Sequence, residues 1–411
     1  MFGSPPRALL AVALVATATI VAGCGKSGTQ TVSGGGPLQR LAPVEAEGAV
    51  SVTTRNTTRV GGADSAVDAA SVARVVYQGL TASSRPQAVI LVNQRDWPAA
   101  LTSSALAGAP LGAPILFATG TTLPEVSLKA LEAMRPSGAS ALGGAQVIRI
   151  GTTAPVPARF SVRSIPAGPP APTAAAVERL LSSSRGGARP HQVIVMRSGS
   201  LRSLEMPAAG LAAESGAPIL LAEGPGLGRD TVATLTAMHR PAIYVLNPAT
   251  LGRPALGELA RLGTVTKIPG AGKAEGPGPG PNSIAIARYT DGTFGWGVKE
   301  PGHGLVFANP SRPLDAPAAA LLSASADYGP LLLLTPGGGI SAGLATYLGD
   351  IQPAYSSAPE FQPVRGVYNH GWLVGDERAI PLITQAELDS LLEISPRQPG
   401  ASPEASVLRP E

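Results

Sequence analysis

Short uninterrupted aliphatic runs alternate along the chain with longer segments whose apolar residues recur at helical spacing. A run without polar alternation marks a strand buried on both faces, and its alternation with amphipathic segments predicts a parallel sheet flanked by helices. Asp64 is placed to cap a helix carrying Val67, Ala70, Val75 and Val76. Strands are predicted at Ala88–Val92 and Pro114–Phe117, with the small-residue segment Pro98–Leu111 as a helix packed closely between them. A helix starting near Pro124 turns Val126, Ala130, Leu131 and Met134 inward, and Ala139–Leu142 and Val147–Ile150 read as two more strands. The order then recurs, with helices at Ala174–Leu181, Leu201–Glu214 and Thr231–Met238 and strands at Gln192–Met196, Pro218–Ala222 and Ile243–Leu246. Farther on, strands are expected at Gly304–Ala308 and Pro330–Leu334, and Thr384 with Glu387 reads as a capping box ahead of Leu388–Ile394.

Two phrases repeat in phase. Gly112-Ala113-Pro114-Ile115-Leu116-Phe117 returns as Gly216-Ala217-Pro218-Ile219-Leu220-Leu221 and as Tyr328-Gly329-Pro330-Leu331-Leu332-Leu333, so the prolines stand 104 and 112 residues apart. A basic residue two or more positions before a glycine recurs with it, in Arg59–Gly62, Arg163–Gly168 and Lys267–Gly270. One shared period for two unrelated phrases means a triplicated α/β unit and argues against one large catalytic domain. The expected organisation is a signal peptide over 1–24, a flexible tether over 25–55, repeat modules at 56–155, 156–264 and 265–395, and a frayed tail over 396–411. The Gly and Pro alternation of Gly272–Pro281 reads as a loop early in the third unit.

Composition narrows the function. Of the 411 residues 44% are apolar but only 4% aromatic, so the cores rest on Ala, Val, Ile and Leu, and the 50 glycines allow the close backbone approach such cores need. A net charge of +4 from 31 basic and 27 acidic residues is a mild bias, compatible with an anionic polymer and far from the dense basic stripe of a nucleic-acid binder. The single cysteine, Cys24, follows a basic start at Arg7, an apolar stretch and Val21-Ala22-Gly23. That pattern resembles the bacterial lipobox, which implies removal of the signal after Gly23, lipidation of Cys24 and an extracytoplasmic chain anchored to the membrane through its N-terminal lipid. With no second cysteine there is no disulfide framework, and no further apolar stretch is long enough to span a membrane.

The phased motifs resemble the cell wall-binding repeat 2 family of Gram-positive surface proteins. Arg59-Val60-Gly61-Gly62-Ala63-Asp64 matches the opening of the family repeat, Asp96-Trp97-Pro98-Ala99-Ala100-Leu101 its middle motif with Ala99 in place of an aspartate, and Leu142-Gly143-Gly144 its closing turn. The second unit keeps Gly168 and Thr173-Ala174 but has Leu246-Asn247-Pro248 where the turn glycines belong; the third keeps Leu314-Asp315-Ala316 and Val374-Gly375-Asp376. The resemblance covers residues 56–395. It implies three α/β modules in a pseudo-threefold arrangement, with Ile115, Leu116, Ile219, Leu220, Leu331 and Leu332 at or near the module contacts. It also implies noncovalent, non-enzymatic binding of a cell-wall secondary polymer by a membrane-anchored chain that faces the cell wall. The candidates for touching that polymer are Arg59, Arg163 and Lys267, the basic residues phased across the repeats, together with Asp64, Asp96 and Asp315.

Other chemistries find less support. His191, His239, His303 and His370 are scattered and unpaired in sequence, so no metal-ligand spacing is present. Ser198-Gly199-Ser200 lacks the second glycine of a nucleophile elbow, and Gly337-Gly338-Gly339 lacks the lysine of a phosphate loop, so neither a hydrolase nor a nucleotide cofactor is expected. Asp96 stands just past a strand's carboxyl end, where open α/β sheets bind ligands, although a capping acid beside a packed indole explains it as well. The competing functions are an extracytoplasmic solute-binding lipoprotein, which predicts two similar halves instead of three units, and a non-enzymatic scaffold for a partner protein.

Overall fold

The computed structural model describes residues 52–268, 278–324, 329–355 and 367–396. The expected signal peptide, Cys24, nearly all of the tether, nearly all of the tail and most of the Gly/Pro loop lie outside the described residues. In chain order, the first stretch holds β1 (Val52–Thr53), β2 (Thr57–Val60), α1 (Ser65–Val76), β3 (Val89–Asn93), α2 (Trp97–Ser103), β4 (Ile115–Ala118), α3 (Glu125–Met134), β5 (Val147–Ile150) and β6 (Val162–Ile165). There follow α4 (Pro170–Ser184), β7 (Gln192–Arg197), α5 (Arg202–Glu205), α6 (Pro207–Ser215), β8 (Ile219–Ala222), α7 (Arg229–Ala237), β9 (Ala242–Leu246), α8 (Arg253–Leu262) and β10 (Thr264–Ile268). The last stretch holds α9 (Pro279–Arg288), β11 (Gly304–Ala308), α10 (Asp315–Ala319), β12 (Leu331–Leu333), α11 (Ala342–Asp350), β13 (Ala354–Tyr355), β14 (His370–Val374), α12 (Leu382–Leu392) and β15 (Ser395–Pro396).

Three main sheets share one strand order. The first runs β4-β3-β5-β6, the second β8-β7-β9-β10, and the third β12-β11-β14-β2-β1, all parallel except the β1–β2 pair. The fourth place in each sheet therefore goes to a strand from the start of the next sequence unit: β6 completes the first sheet and β10 the second. The third is completed by β2, from the other end of the described chain. Repeats in sequence and sheets in space are thus offset by one strand. Each such strand leads into a helix that packs on the following sheet, α1 on β4, α4 on β8 and α9 on β12.

The repeated aliphatic phrase divides by its period of two. Ile115, Ile219 and Leu331 join the largest apolar cluster, with alanines of α2, α6 and α10. Those three helices each touch the other two. Leu116 turns the other way, into a cluster with Ala70 and Ala73 of α1 and Ala130, Leu131 and Met134 of α3. Leu332 likewise packs with Leu344, Tyr347 and Leu348 of α11. Leu220 remains in the largest cluster. Four of the six residues expected at module contacts thus line the shared core, while Leu116 and Leu332 anchor outer helices. Close approach explains two glycines: a Cβ on Gly108 would lie 1.8 Å from the Ala213 carbonyl oxygen, and one on Gly210 would lie 2.7 Å from Ser323 Oγ.

Some local expectations are corrected. Ala139–Leu142 is not a strand, because Ser140–Leu142 coil into a 3₁₀ turn that Gly143 closes at φ 71°. The predicted Leu201–Glu214 helix breaks into α5 and α6 at Met206–Pro207, where the proline offers no N–H. The capping box does not form: α12 starts after Pro381, so Thr384 falls inside the first turn and is buried. Among the described residues no helix is long and apolar enough to cross a membrane.

Candidate functional site

The fourth-position strands carry the phased basic residues, and their registers decide what each can reach. Arg59 lies opposite Leu373 and Lys267 opposite Val245, and across each sheet these rows continue to Leu332 and Leu220. In the first sheet the row through Leu116, Leu91 and Arg149 ends on Ser164, not on Arg163. Arg163 is therefore one residue out of register with Arg59 and Lys267 and points to the opposite face of its sheet. The cause is one extra residue in Ile165-Pro166-Ala167-Gly168, compared with Val60-Gly61-Gly62 and Ile268-Pro269-Gly270, which misaligns the strands when their glycines are aligned.

Arg59 is completely buried, which removes it from any polymer-contacting surface. Unlike β6 and β10, which end their sheets, β2 is flanked by β1 and packed under α12. The guanidinium donates to Gln385 Oε1 at 3.0 Å and to the carbonyls of Gly375, Asp376 and Ile380 at 3.1, 2.8 and 2.8 Å. Burial lowers its pKa, opposed by the charges of Glu377 and Asp376. Arg59 thus fastens the N-terminal strand to the loop and helix that end the fold. Asp389 of α12 adds to this by accepting from the Asn56 amide at 2.7 Å and from Thr54 Oγ1 at 2.6 Å.

Asp315 is likewise buried, and it belongs to a charge cluster that joins α1 to α10. Its Oδ1 accepts from Ser65 Oγ at 3.0 Å, and its Oδ2 lies 2.9 Å from Arg312 Nε. Arg312 also pairs with Asp68, a residue 244 positions earlier, and stands 3.7 Å from Asp376 Oδ1. Asp68 accepts from the Gly62 amide at 2.7 Å. Burial, then the neighbouring charge of Asp315, pushes the Asp68 carboxyl well above the usual carboxylate range. Burial pushes Asp315 up to about 6 against the pull of Arg312. Two buried carboxyls around one guanidinium titrate as a unit that retains a proton. The cluster's chemistry is structural, and Asp315 offers no surface to a polymer.

The other two acids cap helices. Asp64 is exposed and accepts from the Ala66 and Val67 amides at 2.9 and 3.0 Å. Asp96, half-buried at the carboxyl end of β3, accepts from the Ala99 amide at 3.0 Å. Its neighbour Trp97 is buried and donates its indole N–H to Glu205 of α5, which also accepts from Ser200 Oγ at 2.5 Å. This contact ties the first sheet's helix to the second's, and burial raises the Glu205 pKa. Arg312 and Glu205 were not singled out in the sequence; for Arg312 the available signal was its place three residues before Asp315.

Arg163 and Lys267 remain as the accessible members of the phased set. Both are exposed on edge strands, and neither forms an ion pair among the described residues. A charge on a sheet edge stays solvated and resists edge-to-edge pairing, which also leaves it free to meet an anion. The structure thus separates the six candidates into two buried fasteners, two helix caps and two solvated basic edges.

No protein-family model matches the chain, and no curated protein matches it in sequence. Solved structures similar to it in fold include the following two. Cwp6 from Clostridium difficile superposes with a TM-score of 0.61 at 18% identity, covering 86% of this chain and 51% of that one. Cwp8 from Clostridium difficile gives 0.57 at 15%, covering 83% and 53%. The chain spans about half the length of the solved chains it matches, and at these identities the likeness is one of fold.

Proposed function

We propose that this is a cell-wall-associated, non-catalytic protein whose three-sheet body binds an anionic wall polymer noncovalently while a lipid on Cys24 holds it at the membrane. The observation that carries the reading is the likeness in fold to Cwp6, a cell wall protein, across 86% of the chain. The solvated basic residues support it. Arg163 and Lys267 sit on the edges of different sheets, so a repeating polyanion can engage both, and weak contacts at linked sites combine into firm retention.

Two experiments test the parts separately. Reversing both charges, Arg163→Glu with Lys267→Glu, leaves thermal stability nearly unchanged, because both side chains are exposed. At low ionic strength it lowers retention on purified walls by about thirtyfold or more, at about 1 kcal/mol for each positive charge lost near an anionic surface. The difference fades in high salt, where screening shortens to a few ångströms. Retention equal to that of the unaltered chain at low salt would remove these edges from the binding surface. For the anchor, Cys24→Ser depletes the protein from the membrane fraction by at least tenfold on fractionating cells, since the acyl chains are gone. Persistence of the variant in the membrane pellet would mean another anchor.

A further inference from the structure

At the amino ends of the first sheet's strands the surface opens into a cleft of about 440 Å³. Three arginines line it: Arg85 just before β3, Arg135 at the end of α3 and Arg159 just before β6, joined by Glu132, Gln146 and Phe160. Three guanidinium groups against one carboxylate leave a formal excess of two positive charges.

The walls are fixed in place. Gln146 has both ends of its carboxamide engaged, its Nε2 donating to the Pro136 carbonyl at 2.7 Å and its Oε1 accepting from the Ser161 amide at 3.1 Å. Arg159 pairs with Glu132 and lies 5.0 Å over the Phe160 ring. Arg135 is held at φ 50°, a left-handed conformation that non-glycine side chains rarely take. The remaining two cations are uncommitted: neither Arg85 nor Arg135 has a side-chain hydrogen bond or ion pair among the described residues, and the Nε of Arg85 is buried without a partner. A buried guanidinium N–H is ordinarily satisfied, so Arg85 Nε points to a missing acceptor, while the exposed Arg135 stands beside it with its charge unpaired.

We propose that this cleft binds a phosphate-bearing sugar unit. Arginine forks match the paired oxygens of a phosphate, and the excess of two positive charges suits a dianionic group. The cleft has the volume of on the order of fifteen waters, too roomy for a bare ion, and the Phe160 ring offers an apolar face beside the cations for the sugar. The proposal rests on the wall-binding reading for its biological ligand, a phosphorylated segment of the anionic polymer, but its chemistry stands on the cleft alone.

The test titrates the mature chain carrying Cys24→Ser with glucose 1-phosphate, glucose and inorganic phosphate by calorimetry. The expected result is saturable binding of glucose 1-phosphate, at least tenfold tighter than inorganic phosphate, with no heat from glucose. Arg135→Gly removes the guanidinium while suiting the left-handed backbone, so it folds at least as well as the parent and binds at least tenfold more weakly; Arg85→Gln does the same. Absence of glucose 1-phosphate binding, equal affinity for inorganic phosphate, or binding unchanged in both variants would overturn the proposal. Retention on purified walls, measured in parallel, separates the two readings. Retention without sugar-phosphate binding sinks the cleft alone; binding by the cleft without wall retention sinks the wall reading and leaves the cleft standing.

Discussion

Replacing Arg59 with methionine lowers the stability of the folded chain by about 3–5 kcal/mol, the cost of stranding buried partners of a charged group. The guanidinium satisfies Gln385 and three backbone carbonyls, and methionine satisfies none of them. Lysine at the same position recovers part of the loss, because an ammonium cannot reproduce a planar fork of donors. The damage is also local: β2 is the strand through which the start of the chain completes the third sheet. Amides of Thr57–Val60 and of the 375–380 loop therefore lose hydrogen-exchange protection before the second sheet does. Urea denaturation with exchange mass spectrometry measures both effects. Stability within about 1 kcal/mol of the parent, together with lost wall retention, would return Arg59 to the polymer-binding surface.

The second large effect is a pH dependence set by Asp315. Its folded pKa of about 6 exceeds the ordinary unfolded aspartate value of about 3.9. Below the unfolded value the carboxyl is protonated in both states and stability is unaffected. As pH rises toward 6 the unfolded chain gives up its proton while the folded chain retains it, so stability falls, by roughly 3 kcal/mol once pH has passed the folded value. Asp68, shifted in the same direction, adds to the fall. His303 and His370 act oppositely, since burial lowers both and their stabilising contribution grows with pH. The clean measurement is thus the difference between the parent and Asp315→Asn. The variant cannot ionise at 315 and relieves Asp68 of a neighbouring charge, so it gains on the parent by roughly 2–3 kcal/mol between pH 4.5 and 7.5. Parallel profiles would mean that Asp315 ionises normally.

The sequence carried the fold further than the site. Aliphatic runs such as Ala88–Val92 and Gln192–Met196 mark strands because burial on both faces leaves no polar alternation, and Asp64 caps its helix through local bonding alone. The Ala139–Leu142 run misled because the following glycines allow a tight turn that hydropathy does not register. The site was less legible because its decisive contacts are remote in sequence. Arg59 reads as a surface cation until α12, more than three hundred residues later, covers it. Arg312 finds Asp68 across 244 positions. The phasing of Arg163 with Arg59 and Lys267 broke for a smaller reason: glycine spacing aligned the repeats one residue off, and in a strand one residue is the difference between faces.

These placements shift the account of binding from conserved-looking motifs to exposed cations. Arg59, Asp68, Arg312 and Asp315 hold the two ends of the fold together, so the proposed anion contacts fall to Arg163 and Lys267 at the edges and to the arginine cleft. The most direct test incubates residues 24–411 carrying Cys24→Ser with purified cell walls before and after acid extraction of their secondary polymers. The account predicts firm retention on intact walls, released stepwise by salt, and at least a tenfold loss on extracted walls. Equal retention on intact and extracted walls would contradict it.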